Sequence, residues 1–265
     1  MIKILGIPYD ANSSFLKGTA LAPPRIRQME KDGSANAFSE NGLEIIEGIA
    51  YKDFGDILFD EMNPEKAFVK IKSTIAGLLA DDSKILSFGG DHSVTFPIVD
   101  GFTDKFEKLN ILHLDAHADL YDNFDNNPFS HASPFARIME KGKVNSLTQV
   151  GIRTLTKHQK NQAERFGVKI IEMKNFNMGF ISRLKAPLYL SLDLDVLDPA
   201  FAPGISHHEP GGLTTRQVIE IIQNIQPIIA GADIVEYNPE RDVHNITAMV
   251  AYKLFKEIIS KMMEQ

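Results

Sequence analysis

Three short segments carry most of the side chains able to do chemistry. Gly89-Gly90-Asp91-His92-Ser93 follows the run Ile85-Leu86-Ser87-Phe88, and Asp115-Ala116-His117-Ala118-Asp119 follows Ile111-Leu112-His113-Leu114. Asp193-Leu194-Asp195, with Asp198-Pro199 just beyond, follows Leu188-Tyr189-Leu190-Ser191-Leu192. Each apolar run reads as a strand. In extended chain, residues two apart share a face, so Asp115, His117 and Asp119 point the same way, as do Asp193 and Asp195. Without counter-charge these carboxylates would repel each other and resist burial at a strand end. Divalent cations resolve that conflict: carboxylate oxygens with imidazole nitrogens suit Mn²⁺ or a related metal, and shared carboxylates suit a pair of ions. Taken singly, Gly-Gly-Asp-His reads as a turn and Asp-x-Asp as a helix cap or solvated loop. Helix caps do not explain all three, each directly after a buried strand.

The elements that must position these residues alternate along the chain. Strands are expected at Lys3–Ile7, Lys84–Phe88, Asn110–Leu114, Leu147–Val150, Val168–Ile171, Leu188–Leu192 and Gly231–Glu236. Helical periodicity falls between them, as at Pro64–Leu79, Lys157–Phe166, Thr214–Ile225 and Ile246–Met263. Asn63-Pro64 places a capping residue before a first-turn proline, and Thr214 or Thr215 can cap the helix carrying Val218, Ile221 and Ile222. Alternation with nearly continuous apolar strands predicts an α/β fold, a mainly parallel sheet covered on both faces. No linker or repeat divides the chain, so one domain over 1–265 is expected. In such sheets ligands gather beyond the carboxyl ends of the strands, where all three motifs lie.

Composition narrows the class. The 265 residues are 43% hydrophobic and 24% charged, which argues against disorder. With no cysteine, disulfides, thiolate metal sites and cysteine nucleophiles are excluded. The net charge of −7 disfavours a nucleic-acid groove and leaves room for a cationic small substrate. The first residues read into a strand rather than a secretory signal, and no apolar run approaches the ~18–20 residues needed to span a bilayer. A soluble cytoplasmic protein is the expectation.

The motif set, taken in order, resembles the ureohydrolases: arginases, agmatinases and their relatives. The resemblance covers nearly the whole chain, from Gly6-Ile7-Pro8-Tyr9-Asp10 and Pro23-Pro24-Arg25-Ile26-Arg27 through Gly151-Ile152-Arg153 to Glu236-Tyr237-Asn238-Pro239. It implies a three-layer α/β/α sandwich and two Mn²⁺ ions per subunit. One ion would be held by His92, Asp115, Asp119 and Asp193. The other would be held by His117, Asp115, Asp193 and Asp195, with Asp115 and Asp193 bridging. Two cations about 3.5 Å apart lower the pKa of a bridging water and supply hydroxide near neutral pH. The same resemblance implies that Asp119 orients the hydroxide and takes its proton, that Glu236 aligns the guanidinium, and that His131 delivers a proton to the leaving amine. A homo-oligomer, trimer or hexamer, is also implied.

Of the remaining histidines, His113 reads as a hydrogen-bonded residue behind the ligand face, His207 and His208 as lining the site mouth, and His158 and His244 as surface residues. Asp91 and Asp198 read as orienting groups. In the loop Leu120–Ser130, Asp122 and Asp125 would repel a carboxylate and favour an amine-tailed substrate, whereas Asn123, Asn126, Asn127 and Ser130 could bind one. On that balance agmatine comes first, arginine second and guanidinobutyrate third. That loop and Ser206-His207-His208-Glu209-Pro210-Gly211-Gly212 also resemble the agmatinase-like arginases of plants. Two other classes compete: a single-zinc deacetylase-like enzyme, which would lack the full two-metal set, and a non-catalytic binding protein, which would have lost a ligand or Glu236.

Overall fold

The computed structural model describes residues 1–33 and 35–265. Eight strands form one sheet: β1 (Ile2–Gly6), β2 (Lys52–Asp56), β3 (Lys84–Phe88), β4 (Leu109–Leu114), β5 (Val144–Ile152), β6 (Lys169–Glu172), β7 (Leu188–Asp193) and β8 (Ile229–Val235). The spatial order is β2-β1-β3-β8-β7-β4-β5-β6, and every neighbouring pair is parallel. The α/β expectation therefore stands, with a sheet wholly rather than mainly parallel.

Strand side chains alternate between two cores. Ile2 and Ile4 of β1, Leu112 and Leu114 of β4, and Leu188, Leu190 and Leu192 of β7 enter one of them. That face is covered by α1 (Ala22–Lys31), α6 (Thr215–Asn224) and α7 (Ile246–Met263). Leu5, Ile85, Ile111 and Tyr189 enter the other, with Phe68, Ile98, Phe135 and Ala163. These come from α2 (Pro64–Leu78), α3 (Thr95–Thr103), α4 (Pro134–Glu140) and α5 (Lys157–Phe166). Burial on both faces is why these strands read as continuous apolar runs.

Caps set several helix starts. Asn63 accepts from the Lys66 amide, while Thr156 and Thr214 each form a reciprocal capping box with the glutamine three residues on. Two elements carried little signal in the sequence. Helix α1 opens on Ala22-Pro23-Pro24, where prolines are tolerated because first-turn amides lack helical partners anyway. Strand β2, Lys-Asp-Phe-Gly-Asp, is a charged, largely exposed edge. Among the described residues, no helix is long and apolar enough to cross a membrane.

Candidate metal centre and cleft

All three motifs converge at the carboxyl ends of the four adjacent strands β3, β8, β7 and β4. The chain order β3, β4, β7, β8 places consecutive strands apart and then fills between them, which opens a crevice there. Close backbone approaches shape its floor. A side chain at Gly90 would fall on the Tyr9 carbonyl, so only glycine fits where the Asp91 amide donates to that carbonyl. Asp119 (φ 49°) and Glu236 (φ 62°) adopt the left-handed region that non-glycine residues rarely occupy. Such strain persists where surroundings overdetermine the backbone. At Glu236, its own amide donates to the Gly90 carbonyl and its Oε1 accepts the His92 amide.

His92 Nδ1 lies 3.1 Å from a carboxylate oxygen of each of Asp115, Asp119 and Asp193. Its other nitrogen, Nε2, is 3.0 Å from Ser191 Oγ, whose own proton goes to Asp233 Oδ1 at 2.7 Å. Nε2 is therefore a donor, and in the neutral ring that can ligate a metal the Nδ1 lone pair faces three carboxylates with no hydrogen-bond partner. That arrangement is repulsive unless a cation sits among the four atoms. The 3.1 Å spacings are about those of neighbouring donors around one octahedral divalent ion.

A second donor set adjoins the first. His117 Nδ1 is 2.8 Å from Asp195 Oδ2 and 3.4 Å from Asp115 Oδ1. Asp115, His117 and Asp195 are close enough to hold an ion together. Asp115 thus turns one oxygen to each set, Oδ2 toward His92 and Oδ1 toward His117. Asp193 links the sets differently: its Oδ2 faces His92 while its Oδ1 accepts the Asp195 amide at 2.7 Å. Burial, reinforced by Asp195 and Asp115, holds the Asp193 carboxyl well above the usual carboxylate range. Asp195 is pushed up to about 6, by burial first and then by Asp115. The donor chemistry and the uncompensated charge both fit a pair of divalent ions.

His113 is near enough to His92 and Asp115 to be considered with them. Both of its nitrogens are already engaged, however. The Gln149 amide donates to Nδ1 at 3.0 Å, and Nε2 donates to Asp115 Oδ2 at 2.7 Å. Burial lowers its pKa and keeps the ring neutral, a hydrogen-bonded support behind Asp115.

Above the cluster opens a cleft of about 290 Å³, lined by Asp119, Asp193, Asp195, His117, His131 and Glu236. Its outer wall includes Ser14, Thr154, Thr156, Gln159, His207 and Glu209. His131 Nδ1 is 2.8 Å from Glu236 Oε1. Burial opposes charge on His131, but Glu236 outweighs it and the pKa is pushed up to about 9. Burial likewise opposes charge on Glu236, and His131 outweighs it, holding the carboxyl below its usual value. Both bonds to Glu236 use Oε1, and among the described residues none reaches Oε2.

Several readings of the loops need correction. Asp122 and Asp125 do not line the cleft: Asp122 pairs with His158 at 3.0 Å, and Asp125 sits in a tight turn with φ 53°. Asn123, Asn126, Asn127 and Ser130 are not cleft residues either, because the loop folds on itself through the Phe124–Asn127 bridge. His207 lines the cleft as expected, but His208 turns outward to the Pro203 carbonyl. His158 and His244 are exposed. Asp91 and Asp198 orient backbone, Asp91 through the Asn12 and Ser93 amides and Asp198 through those of Ala200 and Gly211. Ser14 and Thr154 belong to no motif in the sequence, and Thr156 and Gln159 read only as a helix capping box; the signal that points to them is their place in the segments that follow β1 and β5.

The Arginase family profile matches residues 1–260. The chain belongs to the arginase family. It is 44% identical to Arginase 1, mitochondrial, of Arabidopsis thaliana over 97% of this chain and 80% of that protein. An agmatinase of Chromobacterium violaceum is 33% identical over 94% of this chain and 80% of its own length. The solved arginase of Medicago truncatula superposes with a TM-score of 0.94 at 41% identity, covering 98% of this chain and 87% of that one. The chain is therefore a ureohydrolase of arginase-like fold.

Proposed function

We propose that this arginase-family protein hydrolyses the guanidino group of L-arginine, releasing urea and L-ornithine. The observation that carries this choice over agmatine is the similarity to plant arginases, 44% identical against 33% for the agmatinase. The cleft agrees. The acidic loop residues that favoured an amine-tailed substrate lie outside it, and its outer wall offers the neutral hydrogen-bonding side chains Thr154 and Gln159 for an α-carboxylate.

Manganese is the proposed metal, because two imidazoles join the carboxylates in the donor sets. His92, Asp115, Asp119 and Asp193 would hold one ion, and His117, Asp115, Asp193 and Asp195 the other. Bound there, two divalent ions lower the pKa of water and supply hydroxide near neutral pH. Glu236 lines the cleft with Oε2 outside its two hydrogen bonds, so a planar guanidinium can pair with it and present one face to attack. Asp119, at the boundary of cluster and cleft, accepts the hydroxyl proton as the tetrahedral carbon collapses. The leaving amine is strongly basic and cannot depart as an anion. His131, charged at neutral pH and 2.8 Å from Glu236, is the acid that supplies its proton.

Urea release by Mn²⁺-loaded protein from arginine, agmatine and 4-guanidinobutyrate tests the reading. Arginine should give the highest kcat/KM, and a preference for agmatine would overturn the substrate assignment. Glu209, whose Oε1 lies 3.8 Å from His117 Nε2, is the one other carboxylate lining the cleft among the described residues, and we assign it to the α-ammonium. It is partly exposed, so its pairing is screened. Glu209→Gln should raise KM for arginine roughly threefold to tenfold and leave kcat within about twofold. An unchanged KM would remove Glu209 from substrate binding.

A further inference from the structure

The proton path out of His131 is the least direct feature of the cleft. Nδ1 is bonded to Glu236 Oε1 at 2.8 Å, and Nε2 is bonded to Ser14 Oγ at 2.8 Å. No ring nitrogen of His131 is left bare toward the cleft. A proton leaving this imidazolium must therefore pass through Glu236 or through Ser14. Passage through Glu236 would neutralise the carboxylate that has to pair with the guanidinium. Ser14 Oγ carries no such burden, and the residue lines the cleft.

Ser14 is held in place although its segment is irregular. Asp10 Oδ2 accepts the amides of Gly18 and Ala20, closing the loop at 2.7 and 3.3 Å. Asp91, fully buried, accepts the Asn12 amide at 3.0 Å and the Ser13 hydroxyl at 3.3 Å. The Asn12 carbonyl accepts the His131 amide at 3.2 Å, tying the two loops directly together. Asp91 is not among the proposed metal ligands; it fixes the segment that carries Ser14 against His131.

We propose that the Ser14 hydroxyl relays the proton from His131 to the departing amine. The proposal rests on the arginase-family reading of the cleft. As the C–N bond breaks, its electron pair stays on nitrogen, which takes the Ser14 Oγ proton. Ser14 Oγ takes the Nε2 proton of His131 in the same step, and His131 is left neutral with Nδ1–H on Glu236. The hydroxyl proton of the tetrahedral carbon passes to Asp119, giving urea and a neutral amine, and His131 regains its proton from solvent.

The test compares Ser14→Ala and Ser14→Thr in Mn²⁺-loaded protein. Ser14→Ala should lower kcat about 10–10²-fold, less than a full loss of the acid because a water can partly replace the hydroxyl. KM and metal content should stay within about twofold. Ser14→Thr, which keeps a hydroxyl, should recover most of kcat, and the solvent deuterium isotope effect on kcat should differ between Ser14→Ala and wild type. Unchanged kcat in Ser14→Ala, lost metal, or equal damage in both variants would each overturn the relay. A second arm needs no turnover: carbethoxylation of His131 by diethyl pyrocarbonate, followed by peptide mass spectrometry, should run at least about threefold faster in Ser14→Ala. An unchanged rate would show that Ser14 does not cover Nε2. Wild-type protein that labels as expected but releases no urea would instead bring down the proposed function.

Discussion

Exhaustive chelation is expected to abolish urea release, and Mn²⁺ to restore it better than Mg²⁺. Mg²⁺ favours all-oxygen octahedra that retain water, whereas both donor sets contain an imidazole. Full activity after metal removal would end the proposed mechanism. Asp193→Ala should reproduce the chelated state, with a loss of more than about 10³-fold. That exceeds the 10–100-fold typical of losing only a partner of a ligand. The physical reason is that Asp193 faces the first set and braces the second: Oδ2 is 3.1 Å from His92 Nδ1, and Oδ1 holds the Asp195 amide at 2.7 Å. Asp195→Ala removes the carboxylate facing His117 and the acceptor of the Ala116 amide but leaves the His92 set in place, and should retain about one ion. Elemental analysis of the two variants decides this, and equal retention of both ions would refute the bridging role.

His131→Asn is expected to keep both metals and substrate affinity while lowering kcat about 10²–10⁴-fold. Asparagine can still donate to Glu236, so the loss reports proton delivery rather than collapse of the cleft. The pH dependence has a defined sign. Although burial works against its charge, Glu236 raises the His131 pKa to about 9, so the acid is fully protonated below that pH and lost above it. Wild-type turnover should fall as pH rises through about 9, and His131→Asn should lack this alkaline limb. Unchanged turnover in a metal-replete variant would return His131 to an ordinary loop residue. Lost metal would make it structural and send the search for the acid to His207.

The donor sets were legible before any coordinates because their spacing is local. Each motif directly follows an apolar run, but β4 ends at Leu114 and β7 at Asp193, so apart from Asp193 the donors lie in the bends and the 3-10 turn beyond the strands rather than on one face of extended chain. Apolar runs located seven of the eight strands, three of them directly before the donors, because strands buried on both faces leave unbroken hydrophobic segments. Strand β2 escaped because a charged edge strand has no such segment. Which residues form the outer cleft was a different matter. Asp122 looked like a substrate contact until the fold placed it on His158, and Ser14 looked like nothing until Asp91, 77 residues further along, anchored its loop against His131. Loop side chains are aimed by long-range hydrogen bonds whose partners no local period announces. The chain by itself thus determined the donor residue types and the α/β alternation, since the first are written in the motifs and the second follows from hydrophobic periodicity. Only the tertiary structure decided how the cluster, Glu236, His131 and Ser14 meet, because strand order, not sequence distance, sets what faces what at the end of the sheet.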